Sequence, residues 1–212
     1  MVRLPRGIEE MVLAGTGLVD LNQQTKSRHN RALRRVRDEM RRLSQDFMSG
    51  STSEAKHLDA YFLYNFPSNT AKTLYAIEGI VKQHPHLFFA KKRYRVLDVG
   101  CGDAAGMLGS YYALKDTDRA VEFHFTGIDS SKKMLDRARG TMQWCAKQDN
   151  SVKTRFLWMD AIDIRSVTYR KKYDVILLVN SLSEIVRDGA LPRDFMGTLY
   201  GALDDNGLLV VI

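Results

Sequence analysis

The chain has 212 residues, with 32 Lys and Arg against 25 Asp and Glu, a net charge of +7; that length suits one domain plus an extension with an easily buried core. The positive balance favours polyanionic partners, and Cys101 and Cys145 lack the C-x-x-C spacing of a disulfide framework or zinc site. The longest apolar runs, 175–179 and 208–212, fall far short of the ~20 residues that cross a bilayer, and the first residues lack a signal-peptide apolar core while Glu9, Glu10 and Asp20 argue against a transit peptide.

The first 88 residues read as a helical, basic extension. A helix is expected from Gly7 to Ala14, followed by a turn at Gly15-Thr16-Gly17. Thr25 to Met48 reads as a longer helix, because Leu33, Val36, Met40, Leu43 and Phe47 recur at spacings of three and four. Its span from Lys26 to Arg42 also carries Arg28, Arg31, Arg34, Arg35, Arg37 and Arg41 against only Asp38 and Glu39. This is either a solvated helix face or a surface that contacts the phosphates of RNA; Arg31, Arg34, Arg35 and Arg41 are the expected contacts. Residues 49–53 are small and read as a joint. Ser51 and Glu54 fit a capping box that opens a helix through Phe66. Pro67-Ser68-Asn69 is expected to stop that helix, and a further one runs from Thr70 to Gln83. His84-Pro85-His86 reads as a linker; no third ligand stands beside its histidines, so no metal site is expected.

From residue 89 onward strands and helices alternate. Tyr94 to Val99 is a short β-branched, apolar run and reads as a buried strand. Met107 to Leu114 is the helix that follows it. Further strands are expected at Val121–Ile128, Thr154–Met159, Asp174–Val179 and Gly207–Ile212, with helices at Ser130–Lys147 and Arg193–Leu203. This alternation predicts an α/β domain at 89–212, a Rossmann-like parallel sheet covered by helices with right-handed crossovers. Strand four, a continuous apolar run, should be buried on both faces.

Between the first strand and its helix lies Asp98-Val99-Gly100-Cys101-Gly102-Asp103-Ala104-Ala105-Gly106. Glycines here let the backbone turn sharply and approach a ligand, which in such sheets sits outside the carboxyl ends of the strands. The turn could be only a strand–helix joint. Gly100, Gly102 and Ala105 meet a dinucleotide fingerprint, but that fingerprint normally keeps the place of Asp98 apolar. Asp98, Asp129 and Asp160 each fall at the end of a predicted strand, 31 residues apart, so a parallel sheet would bring all three to one rim. A carboxylate ending the second strand can accept both hydroxyls of a ribose through its two oxygens, although it could also be only a helix cap.

Asp98-x-Gly100-x-Gly102 resembles motif I, D/E-x-G-x-G-x-G, of the class I S-adenosylmethionine-dependent methyltransferases, with Ala104 in place of the third glycine. The resemblance implies S-adenosyl-L-methionine as cofactor. Asp98, Gly100, Cys101 and Gly102 would lie at its methionine end. Asp129 and Ser130 would meet its ribose, and Asp160 with Ala161 its adenine. The tip of strand four, Asn180-Ser181-Leu182-Ser183-Glu184-Ile185, should face the methyl group. It lacks the prolines and aromatic of the tetrad used for amino-group methylation of bases. Neither cysteine is placed to attack a pyrimidine carbon. Asn180 and Ser181 are the expected acceptor-positioning residues, with Asn180 also near the cofactor and Glu184 supporting the loop; a hydrogen-bonded strand end with no such role is the alternative.

A narrower resemblance rests on Leu4-Pro5, on Tyr61, Pro67 and Tyr75, and on Leu182-Ser183-Glu184-Ile185. These are similar to the methyltransferase-like proteins associated with the small ribosomal subunit of bacteria and mitochondria, with Ser183 where Asn is usual. It implies ribosomal RNA or small-subunit proteins as partners, no membrane, and a cytoplasmic or mitochondrial-matrix location. The cysteines of the iron–sulfur site that members can carry are absent. The alternatives are a ribosome-assembly factor that keeps the fold without the chemistry and a small-molecule methyltransferase. Ile212 falls inside the fifth strand, so the C-terminal strands of the sheet are expected to be missing, or a partner to cover that edge.

Overall fold

A computed structural model describes residues 4–5, 7–16, 26–48, 57–88, 91–117, 121–186 and 191–212. The chain divides into two compact units, Met1–Ser68 and Asn69–Ile212. The division falls twenty residues earlier than the composition change near residue 88 suggests, inside a helix. That helix, α3, runs unbroken over Leu58–Gln83 with Pro67 inside it, where two helices separated at Pro67 are expected from sequence. A proline costs one backbone hydrogen bond and a steric clash. On either side of it Phe62, Phe66, Asn69, Thr70, Thr73, Leu74 and Ile77 are all buried, and packing of that face outweighs the local penalty.

In the first unit, α1 (Ile8–Gly15) buries Ile8, Met11 and Val12. The amphipathic α2 (Lys26–Met48) buries Val36 and Leu43; the side chains of Leu33 and Phe47, at the ends of its stripe, lie outside the described residues. Arg31, Arg34 and Arg41 are exposed on α2. Arg35 is different: its guanidinium donates to the Thr16 carbonyl at 3.1 Å and to Asp59 at 2.9 Å. The expected joint at 49–53 and the capping box of Ser51 and Glu54 lie outside the described residues.

The second unit is a five-stranded, all-parallel sheet in the order β3-β2-β1-β4-β5. Its strands are β1 (Arg93–Val99), β2 (Glu122–Asp129), β3 (Val152–Trp158), β4 (Tyr173–Leu178) and β5 (Leu203–Val211). The connecting helices are α4 (Ala105–Leu114), α5 (Lys132–Gln148), α6 (Arg165–Thr168), α7 (Leu182–Ile185) and α8 (Phe195–Ala202). Side chains alternate across a strand, so Leu97, Val99, Ile128, Ile176 and Leu178 form one core with Ile164, Val167, Phe195 and Leu199 from the helices on that face. On the other face Phe123 stacks between Tyr94 and Phe125, at 5.7 and 6.1 Å, with Tyr111 of α4 edge-on at 5.2 Å. Nearly all of α4 is buried, which explains its lack of any polar stripe. Every residue of β4 is buried, as its apolar run implies. The fifth strand starts four residues earlier than its sequence suggests. The added residues include Asp204-Asp205-Asn206, and with Gly207 they form an irregularity in the pairing with β4, between the partners of Tyr173 and Val175.

Candidate cofactor and acceptor site

Strand order reverses at β1, which lies between β2 and β4. That switch point is where an open parallel sheet leaves a crevice beyond its carboxyl ends. The register shows how the three acids share this rim. Asp98 pairs with Gly127, two residues before Asp129, and Asp129 pairs with Trp158, two residues before Asp160. Each acid therefore stands about 6.6 Å further along the strand direction than the one before it.

Asp98 is 1 % exposed, and neither of its carboxylate oxygens has a hydrogen-bond partner. Burial, then the neighbouring Asp129 and Asp103, push its pKa from 3.8 up to about 8, offset only in part by the nearby Met107 amide. Room for this carboxylate depends on Gly106, where a Cβ would stand 2.8 Å from Asp98 Oδ2 and 3.0 Å from Val179.

The loop itself is held from both sides. The amides of Gly100 and Cys101 both donate to the Ile128 carbonyl at 2.9 Å. Gly102 donates to Asp129 Oδ2 at 2.9 Å, and Ser131 donates to Asp129 Oδ1 at 2.7 Å. Asp129 thus ties the two loops together, and each oxygen keeps a further lone pair for a hydroxyl. Its pKa is raised by burial despite those two amides. Ala104 donates to the Cys101 carbonyl, and Ala105 to Asp103 Oδ1. Ala104 sits at φ 70°, the left-handed region, so the motif does want glycine there and the methyl costs about 1–2 kcal/mol. Gly100 has the same φ of 70° and a second constraint: a Cβ on it would lie 2.5 Å from Ser181 Cβ.

Further along the rim, Asp160 accepts from the Ile162 amide at 3.1 Å and caps the short turn Ala161–Asp163. Trp158, 68 % exposed, reaches back to donate its indole N–H to the Ser130 carbonyl at 2.9 Å. Cys101 is buried, and burial followed by the three nearby carboxylates drives its thiol pKa well up; as a packed thiol it has no nucleophilic character.

At the strand-four tip the Ser181 hydroxyl donates to the Val99 carbonyl at 2.7 Å and is buried, so it locks the β4 tip to the end of β1. Asn180 takes φ 55° and is exposed. Its amide N–H₂ donates to Asn69 Oδ1 at 2.7 Å.

Two residues escape sequence reasoning. Asp103 lies within the glycine loop and is 3 % exposed; its Oδ2 has no partner, and burial raises its pKa to about 7, partly offset by the Ala105 amide and Arg137. Its position in the motif run was visible, but not that the loop would bury it. Asn69 reads as a helix stop after Pro67 and is instead buried on α3, facing the strand-four tip. An asparagine at a helical position among Phe66, Thr70 and Thr73 is the only trace of this in the sequence.

S-adenosyl-L-methionine fits this set. An unpartnered buried carboxylate suits its ammonium, a doubly anchored carboxylate with spare lone pairs suits its ribose, and the carboxylate-capped turn lies next along the rim. Among the described residues no helix is long and apolar enough to cross a membrane.

Three solved structures of limited likeness are the plantazolicin methyltransferase BpumL in complex with SAH (22 % identity, 83 % of this chain and 61 % of that one, TM-score 0.46), an S-adenosylmethionine-dependent methyltransferase from Clostridium acetobutylicum (16 %, 66 % and 49 %, 0.45), and MNMC2 from Aquifex aeolicus (13 %, 67 % and 50 %, 0.47). The chain spans between half and three-fifths of the length of these proteins. No curated protein matches it. The model of the family described as Methyltransferase domain matches residues 90–212, more than half of the chain and the whole of the sheet, and the chain belongs to that family.

Proposed function

We propose that the chain is an S-adenosyl-L-methionine-dependent methyltransferase acting on RNA, with ribosomal RNA or the small ribosomal subunit as acceptor. The observation that carries the cofactor assignment is the charge of the loop. Asp98, Asp103 and Asp129 surround it, and the amides of Gly100, Cys101, Gly102, Ala104 and Ala105 are already taken by protein acceptors. A dinucleotide loop needs free amides and positive potential for a pyrophosphate. This one has no such free amide and instead gathers carboxyl groups that a cation can draw into their charged form by releasing a proton.

When bound, S-adenosyl-L-methionine supplies a methyl group already activated on a sulfonium. The chain's own residues then have to bind and align rather than to activate. Asp98 balances the positive charge, Asp129 holds the ribose, and Asp160 with Ala161 flanks the adenine. Asn180, held through Asn69, presents its exposed end to the acceptor, and Ser181 fixes the wall behind it. Alignment of this kind supplies much of the rate in a transfer that needs no strong base.

The RNA assignment rests on α2. Arg31, Arg34 and Arg41 lie three and seven residues apart on one face of the helix, and Arg31 and Arg34 make no ion pair among the described residues. Calorimetry with the methyl donor, followed by transfer of a tritiated methyl group to small ribosomal subunits, to total RNA and to a small-molecule extract, tests the reading. Binding with RNA labelling supports it. Binding with no transfer to any acceptor sinks it in favour of an assembly factor that keeps the fold.

A further inference from the structure

The opposite rim of the same sheet carries a second polar cleft. It encloses about 340 Å³ at the amino ends of β1, β2 and β4, within the range of ligand pockets. Arg95, His124, Arg170, Lys171, Lys172 and Tyr173 line it with Thr126, and among the described residues no carboxylate does. Two of the basic groups are engaged: His124 with Glu122 at 3.1 Å, and Lys172 with the carbonyls of Gly201 and Leu203 at 3.0 Å each. The side chains of Arg95, Arg170 and Lys171 make no ion pair among the described residues. Asp174 takes the Arg95 backbone N–H and the Lys91 ammonium. Three cations without an ion pair among the described residues thus line a concave surface, and Glu122, on His124 at its edge, is already shared with Arg93 and Lys153.

Beside the cleft stands Tyr169, 71 % exposed, with the Arg170 guanidinium 5.3 Å from its ring centroid. An exposed aromatic face next to a cationic concavity combines the two elements of single-strand binding: a stacking platform for a base and a channel for phosphates. A duplex offers no free base face to Tyr169.

We propose that this amino-rim cleft binds single-stranded RNA, with phosphates against Arg95, Arg170 and Lys171 and one base on Tyr169. Three residues separate Arg95 from Asp98 along β1, about 10 Å, so the cleft holds a part of the strand remote from the reacting nucleotide. The proposal rests on the RNA reading of the chain and adds a second, independent contact surface to it.

The test uses fluorescence anisotropy with a labelled twelve-nucleotide single strand and its duplex, on the whole chain, across a salt series. The variants are Arg95→Gln with Lys171→Gln, Tyr169→Ala, and Arg31→Gln with Arg34→Gln and Arg41→Gln on α2, each checked for an unchanged thermal melt. The rim pair is expected to flatten the slope of log affinity against log salt by about 1.4. Tyr169→Ala should weaken the single strand about tenfold while leaving the duplex unaffected. If only the α2 variant weakens binding, the cleft proposal fails and the RNA reading stands. If the wild type binds neither strand form, both fail. Thermal protection by inorganic phosphate that matches protection by the single strand would also overturn the proposal, since the cleft would then be an anion site alone.

Discussion

Substituting Asp98 by asparagine should make the ligand-free protein more stable at neutral pH, not less. Asp98 titrates near 3.8 when exposed and near 8 in the fold, because burial and two neighbouring acids disfavour its charge. A group whose pKa rises on folding contributes stability that is complete below its unfolded pKa and is lost as pH climbs through its folded pKa. The wild type therefore loses stability between about pH 4 and pH 8. About four pKa units at ~1.4 kcal/mol each set a ceiling on the order of 5 kcal/mol for this group. Asp103, raised to about 7, acts in the same direction. The Asp98→Asn variant keeps the shape and removes the charge, so thermal melts of the two proteins should coincide near pH 4 and separate steadily up to pH 8, with the variant higher. The same substitution should abolish binding of the methyl donor. In the wild type a cationic ligand favours the carboxylate, so binding releases a proton and affinity rises close to tenfold per pH unit below 8. Calorimetry at pH 7 in two buffers of different ionisation heat reads that proton directly. A variant that melts below wild type by the same margin at every pH, with a binding heat independent of buffer, would refute the assignment.

Gly100→Ala places an alanine at φ 70° and a methyl against Ser181, for about 1–2 kcal/mol of backbone strain plus about 1–3 kcal/mol of overpacking. Urea melts should show the sum, and Ser181→Gly, which also loses the bond to Val99, should cost less in the Gly100→Ala background than in wild type by the packing part; an undiminished midpoint in Gly100→Ala would contradict the close approach. Asn180→Ala should cost about 1–3 kcal/mol by leaving the buried Asn69 oxygen without that donor. Asn69→Ala should cost less on this account, because water reaches the exposed Asn180 amide, and the two together should cost less than the sum. Strict additivity in that double-mutant cycle would mean that the two amides do not work as a pair. Asp174→Ala removes the acceptor of the Lys91 ammonium and the Arg95 N–H and leaves both uncompensated, at a cost of about 3–5 kcal/mol; a melt unchanged from wild type would show that the pair contributes nothing.

The sheet was legible because its signals are local. Short β-branched runs, glycine turns and helical periods alternate, and crossover rules then force the acids at strand ends to one rim. Asp98, Asp129 and Asp160 could thus be placed together without any knowledge of contacts. What was hidden depends on tertiary burial. Pro67 reads as a stop because its penalty is local, while the buried face that overrides it spans four helical turns. Asp204 to Gly207 has the composition of a turn, and pairing of Leu203 before it and Leu208 after it with β4 carries the strand across it. Asp103 and Asn69 carry no pattern of their own: their importance comes from what packs around them. The Ser181 hydroxyl was expected to be available to an acceptor, and its bond to Val99 could not be inferred without knowing how closely β4 and β1 end.

The loop's hydrogen bonds lead to a final expectation about ligand charge. Gly100, Cys101 and Gly102 point their amides at Ile128 and Asp129, so an incoming anion would have to break existing bonds and then sit among three acids. Burying an unpaired charge next to like charges costs several kcal/mol. A cation gains what the anion loses, and the carboxylate of Asp98, costly when alone, becomes half of a pair. Affinity should therefore follow ligand charge at constant adenosine content: the sulfonium donor above its neutral thioether product, and both far above NADH or ADP. Donor and product both carry the ammonium that Asp98 faces, so the affinity of each should rise up to pH 8, above which Asp98 is charged before the ligand arrives, and both should be lost in Asp98→Asn. Binding of NADH at the same affinity as the methyl donor would show that the loop's amides are free after all, and the dinucleotide reading of Gly100, Gly102 and Ala105 would replace this one.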